Sequence, residues 1–168
     1  LRRRGRWVGE RKIRRIMKQF SLHAEIKRAY VHTTDSNHSH RVYPNLLPGR
    51  CLTNVNQAWA ADLTYIRIVN GFVYLAVILD LFSRKVIGWA ISKHIDAELA
   101  LSALRQAIEM RQPSPGCIHH SDRGVQYLCH AYVALLNAHG FSISNSAKGN
   151  PYHNAFAESF MKTLKQEE

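Results

Sequence analysis

The chain has 168 residues and a formal charge of +11, enough for one domain of ordinary size plus a short appendage. Residues 1 to 50 carry thirteen Lys and Arg against three acids, whereas residues 51 to 168 carry ten against nine, so the positive field is an N-terminal feature on a nearly neutral body. Such a basic arm points to phosphate contacts. Three cysteines, Cys51, Cys117 and Cys129, are an odd number without CxxC spacing, which argues against a disulfide framework and a thiolate zinc site. No apolar run reaches the length of a membrane span, and LRRRGRWVGERK lacks the apolar stretch of a signal peptide, so a cytoplasmic protein is expected.

In chain order, Val8, Ile13, Ile16, Met17 and Phe20 recur at helical spacing among Arg and Lys, which predicts a helix from Val8 to Gln19. A second short helix is expected over Leu22 to Tyr30. Residues 1 to 31 are thus read as a basic helical segment suited to phosphate contacts. Residues 32 to 50, polar and Pro-punctuated, are read as an extended linker, and 51 to 168 as the main domain. Within it, Trp59 to Val69 and Phe72 to Leu81 are β-rich runs around Asn70-Gly71, a strong hairpin signal, and Lys85 to Ile91 is a third strand. Asp96 is the expected N-cap of a helix running to Met110, with Ala97, Leu101, Leu104, Ala107 and Ile108 on one stripe. A strand over Cys117 to His120, a helix over Tyr127 to His139, a strand over Phe141 to Ser144, a loop over Asn145 to Tyr152 and a helix over Asn154 to Gln166 complete the chain. Three antiparallel strands followed by helix, strand, helix, strand and helix is the order of a ribonuclease H-like α/β fold, a mixed sheet flanked by helices.

Three carboxylates stand in telling places along that order. Asp62 lies in the alternating run WAADLTY and faces the same way as Ala60 and Thr64. Asp122 ends the short strand in HHSDRG, and Glu158, in NAFAES, follows after 35 intervening residues. Glu158 shares a helix face with Lys162 and Lys165, while Phe156, Phe160 and Leu164 are expected to bind the core. Acids that converge from separate elements suit a pair of hard divalent cations, Mg²⁺ or Mn²⁺, which take oxygen ligands and serve phosphoryl transfer. Taken singly, an Asp in a strand or a Glu on a helix is more often structural. The adjacent His119 and His120 point to opposite strand faces, so both cannot hold one ion; one is expected buried and hydrogen-bonded, the other lining the site.

The spacing of these acids, the words HHSDRG and NAFAES, and the TT, SxH and PNLL stretch between Thr33 and Leu47 resemble insertion-sequence transposases of the IS-three type (OrfB product), whose catalytic core is similar to that of retroviral integrases. The resemblance covers roughly Arg11 to Gln166. It implies an integrase-type catalytic core that cuts and joins DNA strands in transposition, with Asp62, Asp122 and Glu158 as catalytic and metal-binding residues around two Mg²⁺ or Mn²⁺ ions. It also implies that residues 1 to 31 are a helix-turn-helix-like DNA-binding segment, and it implies DNA partners, namely element ends and target, a homo-oligomer, and a bacterial, nucleoid-associated setting. Lys148, Asn154, Lys162 and Lys165 are candidate DNA contacts, with Arg14 and Arg15 adding sequence-independent affinity. Asp80, before Phe82-Ser83-Arg84, belongs to the family pattern without being a ligand and is read as a turn or Arg84-pairing residue. The chain departs from the family at Ser144-Asn145-Ser146, where SMS is usual, and at His153, where an acid is usual; it also stops soon after Glu158, which reads as truncation. Two other readings stay open: an inactive DNA-binding remnant of a transposase, and a ribonuclease H-type nuclease.

Overall fold

A computed structural model describes residues 9–22, 38–146 and 155–164, and in the last segment the side chains from Ser159 onward. The chain divides into two compact units, Leu1–Tyr30 and Val31–Glu168. In the first, helix α1 spans Glu10–Gln19, with Gly9 at its N-cap and an exposed Arg14–Glu10 ion pair of 2.6 Å one turn apart. None of its residues is buried; of the apolar stripe, Ile13 and Met17 are partly covered and Ile16 is exposed. The expected second helix, Leu22 to Tyr30, lies outside the described residues apart from Leu22, which is not helical.

The second unit is built on one five-stranded sheet. Its strands are β1 (Ala58–Ile68), β2 (Gly71–Asp80), β3 (Val86–Ser92), β4 (Ile118–Ser121) and β5 (Ser142–Asn145), in the spatial order β3-β2-β1-β4-β5. β1 pairs antiparallel with β2 and β2 with β3, while β4 runs parallel to both β1 and β5. The hairpin sits one residue earlier than Asn70-Gly71 predicts. Ile68 faces Gly71 across the ladder, Val69 and Asn70 form the loop, and Gly71 takes φ +129°, a conformation that L side chains rarely adopt.

Helix α2 (Ala97–Arg111) lies on one face of the sheet. It starts where Asp96 accepts the Leu99 N–H at 2.9 Å and ends at Gln112, left-handed at φ 42°, just before Pro113. Leu99, Leu104 and Ala107 join Trp59, Ala61 and Leu63 of β1 and Ile87 of β3 in one core cluster. Each fully buried side chain of Leu or Ile size stabilises by about 1.5–3 kcal/mol. Contact is tightest at Gly88, where a Cβ would overlap the Ala103 carbonyl oxygen and stand 2.8 Å from Ala107 Cβ. The other face holds Ala58, Ala60, Val77, Leu79 and Ile118 against Met161 of α5 (Ala155–Leu164), with Phe160 and Leu164 packed beside it.

The single helix expected over Tyr127 to His139 is two. α3 (Val125–Leu128) and α4 (His130–Ala138) are separated by Cys129, whose backbone is extended at φ −64°, ψ 152°. The break has a packing reason: it lets Tyr127 and Leu128 of the first piece and Tyr132 and Leu136 of the second all reach the interior. Tyr127 and Tyr132 meet edge to face at 5.4 Å.

Candidate active site

The parallel pairing of β1 and β4 brings two of the three candidate acids together. Ala58 stands opposite Ile118, Trp59 opposite His119 and Ala60 opposite His120. Two residues further along each strand come Asp62 and Asp122, side by side just past the end of that ladder. Both are half-buried. Asp62 Oδ1 accepts the Leu63 N–H at 2.9 Å, and Asp122 Oδ1 accepts the Gly124 N–H at 2.8 Å in a turn that opens α3.

Buried Tyr127 registers both charges. Its hydroxyl is pushed well above the ordinary value of 10, first by burial and then by the nearby Asp62 and Asp122 carboxylates and by Tyr132. The phenol is therefore neutral, and its oxygen finds no hydrogen-bond partner among the described residues. Sequence reasoning passed over Tyr127, although its place five residues after Asp122 on an amphipathic segment is a signal that it packs beneath that acid.

Glu158 belongs to α5, one helical turn before Met161, which packs against Ala58 and Ala60 on the Asp62 face of β1. Its side chain lies outside the described residues, so the described part of the site is a pair of carboxylates; among the described residues no group of three or more acidic, His or Cys side chains is arranged to hold a metal ion. Lys162 is exposed on α5. Lys148, His153, Asn154 and Lys165 lie outside the described residues, and so does the side chain of Phe156. Arg14 and Arg15 are exposed on α1, in the separate N-terminal unit.

The histidine pair departs from expectation. Both rings are buried and bonded, on opposite faces as strand alternation requires. His119 meets Tyr132 Oη at 3.0 Å, and its pKa falls to about 3 because burial, and next the neighbouring His120, disfavour the imidazolium. His120 Nδ1 lies 2.8 Å from Ser144 Oγ in the interior, so it is part of the packing rather than a lining of the site.

Asp80 is a turn residue, as read. Fully buried, it accepts the Ser83 N–H at 2.7 Å and the Ser83 hydroxyl at 2.9 Å on Oδ1, and the Asn56 N–H at 2.7 Å on Oδ2. Burial, with the Asp80 charge second, pushes the Cys117 thiol up to about 12, so this cysteine stays protonated and inert.

The described part of the segment read as a linker, 38–50, has neither helix nor strand, but it is fastened to the sheet edge. The Tyr43 N–H donates to Asn145 Oδ1 at 2.9 Å and the Leu46 N–H to Ser144 Oγ at 2.9 Å, while Leu46 and Leu47 pack on the α5-side core. Asn145, predicted to begin a loop, instead ends β5 in the interior.

Residues 53–151 match the family described as Integrase core domain. The chain is 41% identical over 161 residues to a 31 kDa protein of insertion element IS600 from Shigella sonnei, covering 95% of this chain and 59% of that protein. It is 48% identical over 112 residues to the transposase InsF for insertion sequence IS3A of Escherichia coli K12, covering 67% of this chain and 39% of that one. The chain therefore spans roughly half the length of these relatives. Among solved structures, the catalytic core domain of HTLV-2 integrase, in complex with magnesium and in a dimeric form, superposes with a TM-score of 0.55 at 20% identity over 67% of this chain and 69% of that one. That likeness shows the ribonuclease H-like fold that the strand order predicts.

Proposed function

Since the chain belongs to the integrase core domain family, we propose that it is the catalytic core of an insertion-element transposase, a polynucleotidyl transferase that cleaves DNA strands and joins them to a target. The observation that carries this reading is the placement of Asp62 and Asp122 beside each other past the end of the β1–β4 ladder, with α5, the helix of Glu158, packed on the same face of β1. Half-buried carboxylates fit Mg²⁺ or Mn²⁺, hard cations that take oxygen donors. When bound, two such ions would supply Lewis acidity to the attacking and leaving oxygens of an in-line displacement. Asp62 is held by a rigid central strand and Asp122 by a hydrogen-bonded turn, so the chain presents both acids already oriented.

On this reading Lys162, one helical turn past Glu158, contacts the backbone of the strand being cut, and Lys148, Asn154 and Lys165 are candidates for the same role. Arg14 and Arg15 add salt-dependent affinity for duplex DNA. We further assign residues 1–31 to DNA binding, 32–50 to the connection and 51–168 to catalysis, with element ends and target as substrates, a homo-oligomer as the working form and the bacterial nucleoid as its place. Among the described residues no helix is long and apolar enough to cross a membrane.

The test is strand cleavage and strand transfer on labelled element ends with Mg²⁺ or Mn²⁺. Asp62→Asn, Asp122→Asn and Glu158→Gln should each lower product formation by at least about 100-fold, since a lost metal contact removes several kcal/mol of transition-state stabilisation, and each should keep its DNA binding. Near wild-type transfer by any of the three would remove that residue from the site. Cleavage of the RNA strand of hybrids without any joining would replace the transposase reading with a nuclease.

A further inference from the structure

Asn145 is almost fully buried, and both ends of its amide are used. Oδ1 accepts the Tyr43 N–H at 2.9 Å; Nδ2 donates to the Asp122 carbonyl oxygen at 3.2 Å and to Ser121 Oγ at 3.3 Å. One amide orientation alone satisfies an N–H on one side and a carbonyl on the other, so the direction of the side chain is set by its two backbone partners. Further bonds reinforce the same junction. His38 Nε2 lies 2.8 Å from the Arg123 carbonyl oxygen, and Arg123 Nε donates to the Ser146 carbonyl at 2.9 Å. The segment around His38 and Tyr43 thus grips the backbone on both sides of the Asp122–Arg123 peptide.

We propose that Asn145 is a positioning residue, a clasp that ties the segment 38–46 to the peptide backbone of Asp122 and so holds that carboxylate in place for a divalent ion. This rests on the reading of Asp122 as a metal ligand. Met, with a side chain of comparable reach and no amide, gives a variant of suitable size. Asn145→Met deletes all three bonds and leaves the Asp122 carbonyl with the Ser121 hydroxyl, 3.0 Å away. The Leu46 N–H, held by Ser144 Oγ instead, is an internal control.

The experiment uses the full chain, with Mn²⁺ alone as the probe. Amide hydrogen exchange at Tyr43 and Leu46 is followed alongside Mn²⁺ titration of wild type, Asn145→Met, His38→Ala and Asp122→Asn. Asn145→Met should speed exchange at Tyr43 but not at Leu46, and should raise the Mn²⁺ half-saturation concentration roughly three- to tenfold, the range expected for a lost hydrogen bond or two. His38→Ala, a change at a half-exposed side chain, should raise it by about twofold. Unchanged Mn²⁺ affinity in folded Asn145→Met overturns the clasp while leaving the metal site standing. Should that variant not fold, unchanged affinity in His38→Ala has the same force. A wild-type chain that binds no Mn²⁺, or binds it equally well as Asp122→Asn, overturns the metal reading and the clasp together.

Discussion

Asp80 and Asp122 both follow buried strands of the same sheet, yet they occupy opposite situations. Asp80 is sealed, and three donors from Asn56 and Ser83 close around its two oxygens. Asp122 is half-buried, the register just beyond the β1–β4 ladder sets it level with a second carboxylate, and the chain's own polar groups also hold its main-chain carbonyl. A carboxylate whose lone pairs are spent on turn N–H groups stabilises the fold, whereas one set beside another acid carries a repulsion that a bound cation relieves. Identical chemistry is thus divided between architecture and the proposed metal site by what surrounds it.

The largest effect on stability should come from Asp80→Asn. The amide offers one acceptor oxygen where the carboxylate offered two, so an N–H of Asn56 or Ser83 is left facing an NH₂ group in the interior. Bonds to a charged acceptor and a buried donor without a partner are together worth about 3 kcal/mol, and chemical denaturation should show a loss of that order. Asp122→Asn should cost little, or even stabilise the metal-free chain by removing its repulsion with Asp62. If Asp80→Asn melted like wild type but failed to bind Mn²⁺, the division between the two acids would collapse and Asp80 would belong to the site.

Much of this contrast was legible in the amino-acid order, because periodicity reports burial directly. The alternation around Asp62, the helical stripe of α2 and the capping Asp96 are local patterns that tertiary packing leaves intact. What escaped were features decided by packing at a distance. The break at Cys129 interrupts a segment whose pattern suits one continuous helix, and it exists because Tyr127 and Tyr132 must both turn inward. The hairpin slipped by one residue because Gly71, rather than Phe72, begins the second strand. Asn145 reads as a loop polar residue until its partners, Tyr43 and Asp122, are seen to arrive from distant points in the chain. The proposed role of Glu158 rests on spacing, and the fold adds the position of its helix over β1.

The histidine beside the site sharpens the comparison from the basic side, with an effect next in size. His119 holds a pKa of about 3 against an ordinary 6.5, chiefly through burial. The unfolded chain therefore takes up a proton more readily than the folded one. The stabilising contribution is complete above pH 6.5 and is lost progressively as the pH falls toward 3. Between pH 6.5 and pH 5 this single residue should remove about 2 kcal/mol. Denaturant titrations at both values, compared with His119→Phe, should show a flatter pH dependence in the variant. An equally steep decline in both would mean that His119 is not the group that titrates.

The smallest expected effect tests the exposed end of the series. Asp96 is solvent-facing, and its Oδ1 accepts one bond, from the Leu99 N–H at 2.9 Å, as the N-cap of α2. Asp96→Ala takes away the acceptor for that N–H and also removes a negative charge from the positive end of the helix dipole. The loss should be about 1 kcal/mol, a third of that at Asp80, and Asp96→Asn should recover most of it because the amide oxygen still caps. Melting curves of the three aspartate variants then give an ordering: Asp80→Asn falls furthest, Asp96→Ala a little, and Asp122→Asn least or not at all. A fall at Asp96 as large as that at Asp80 would show that burial and the number of donors do not set what an aspartate contributes in this fold.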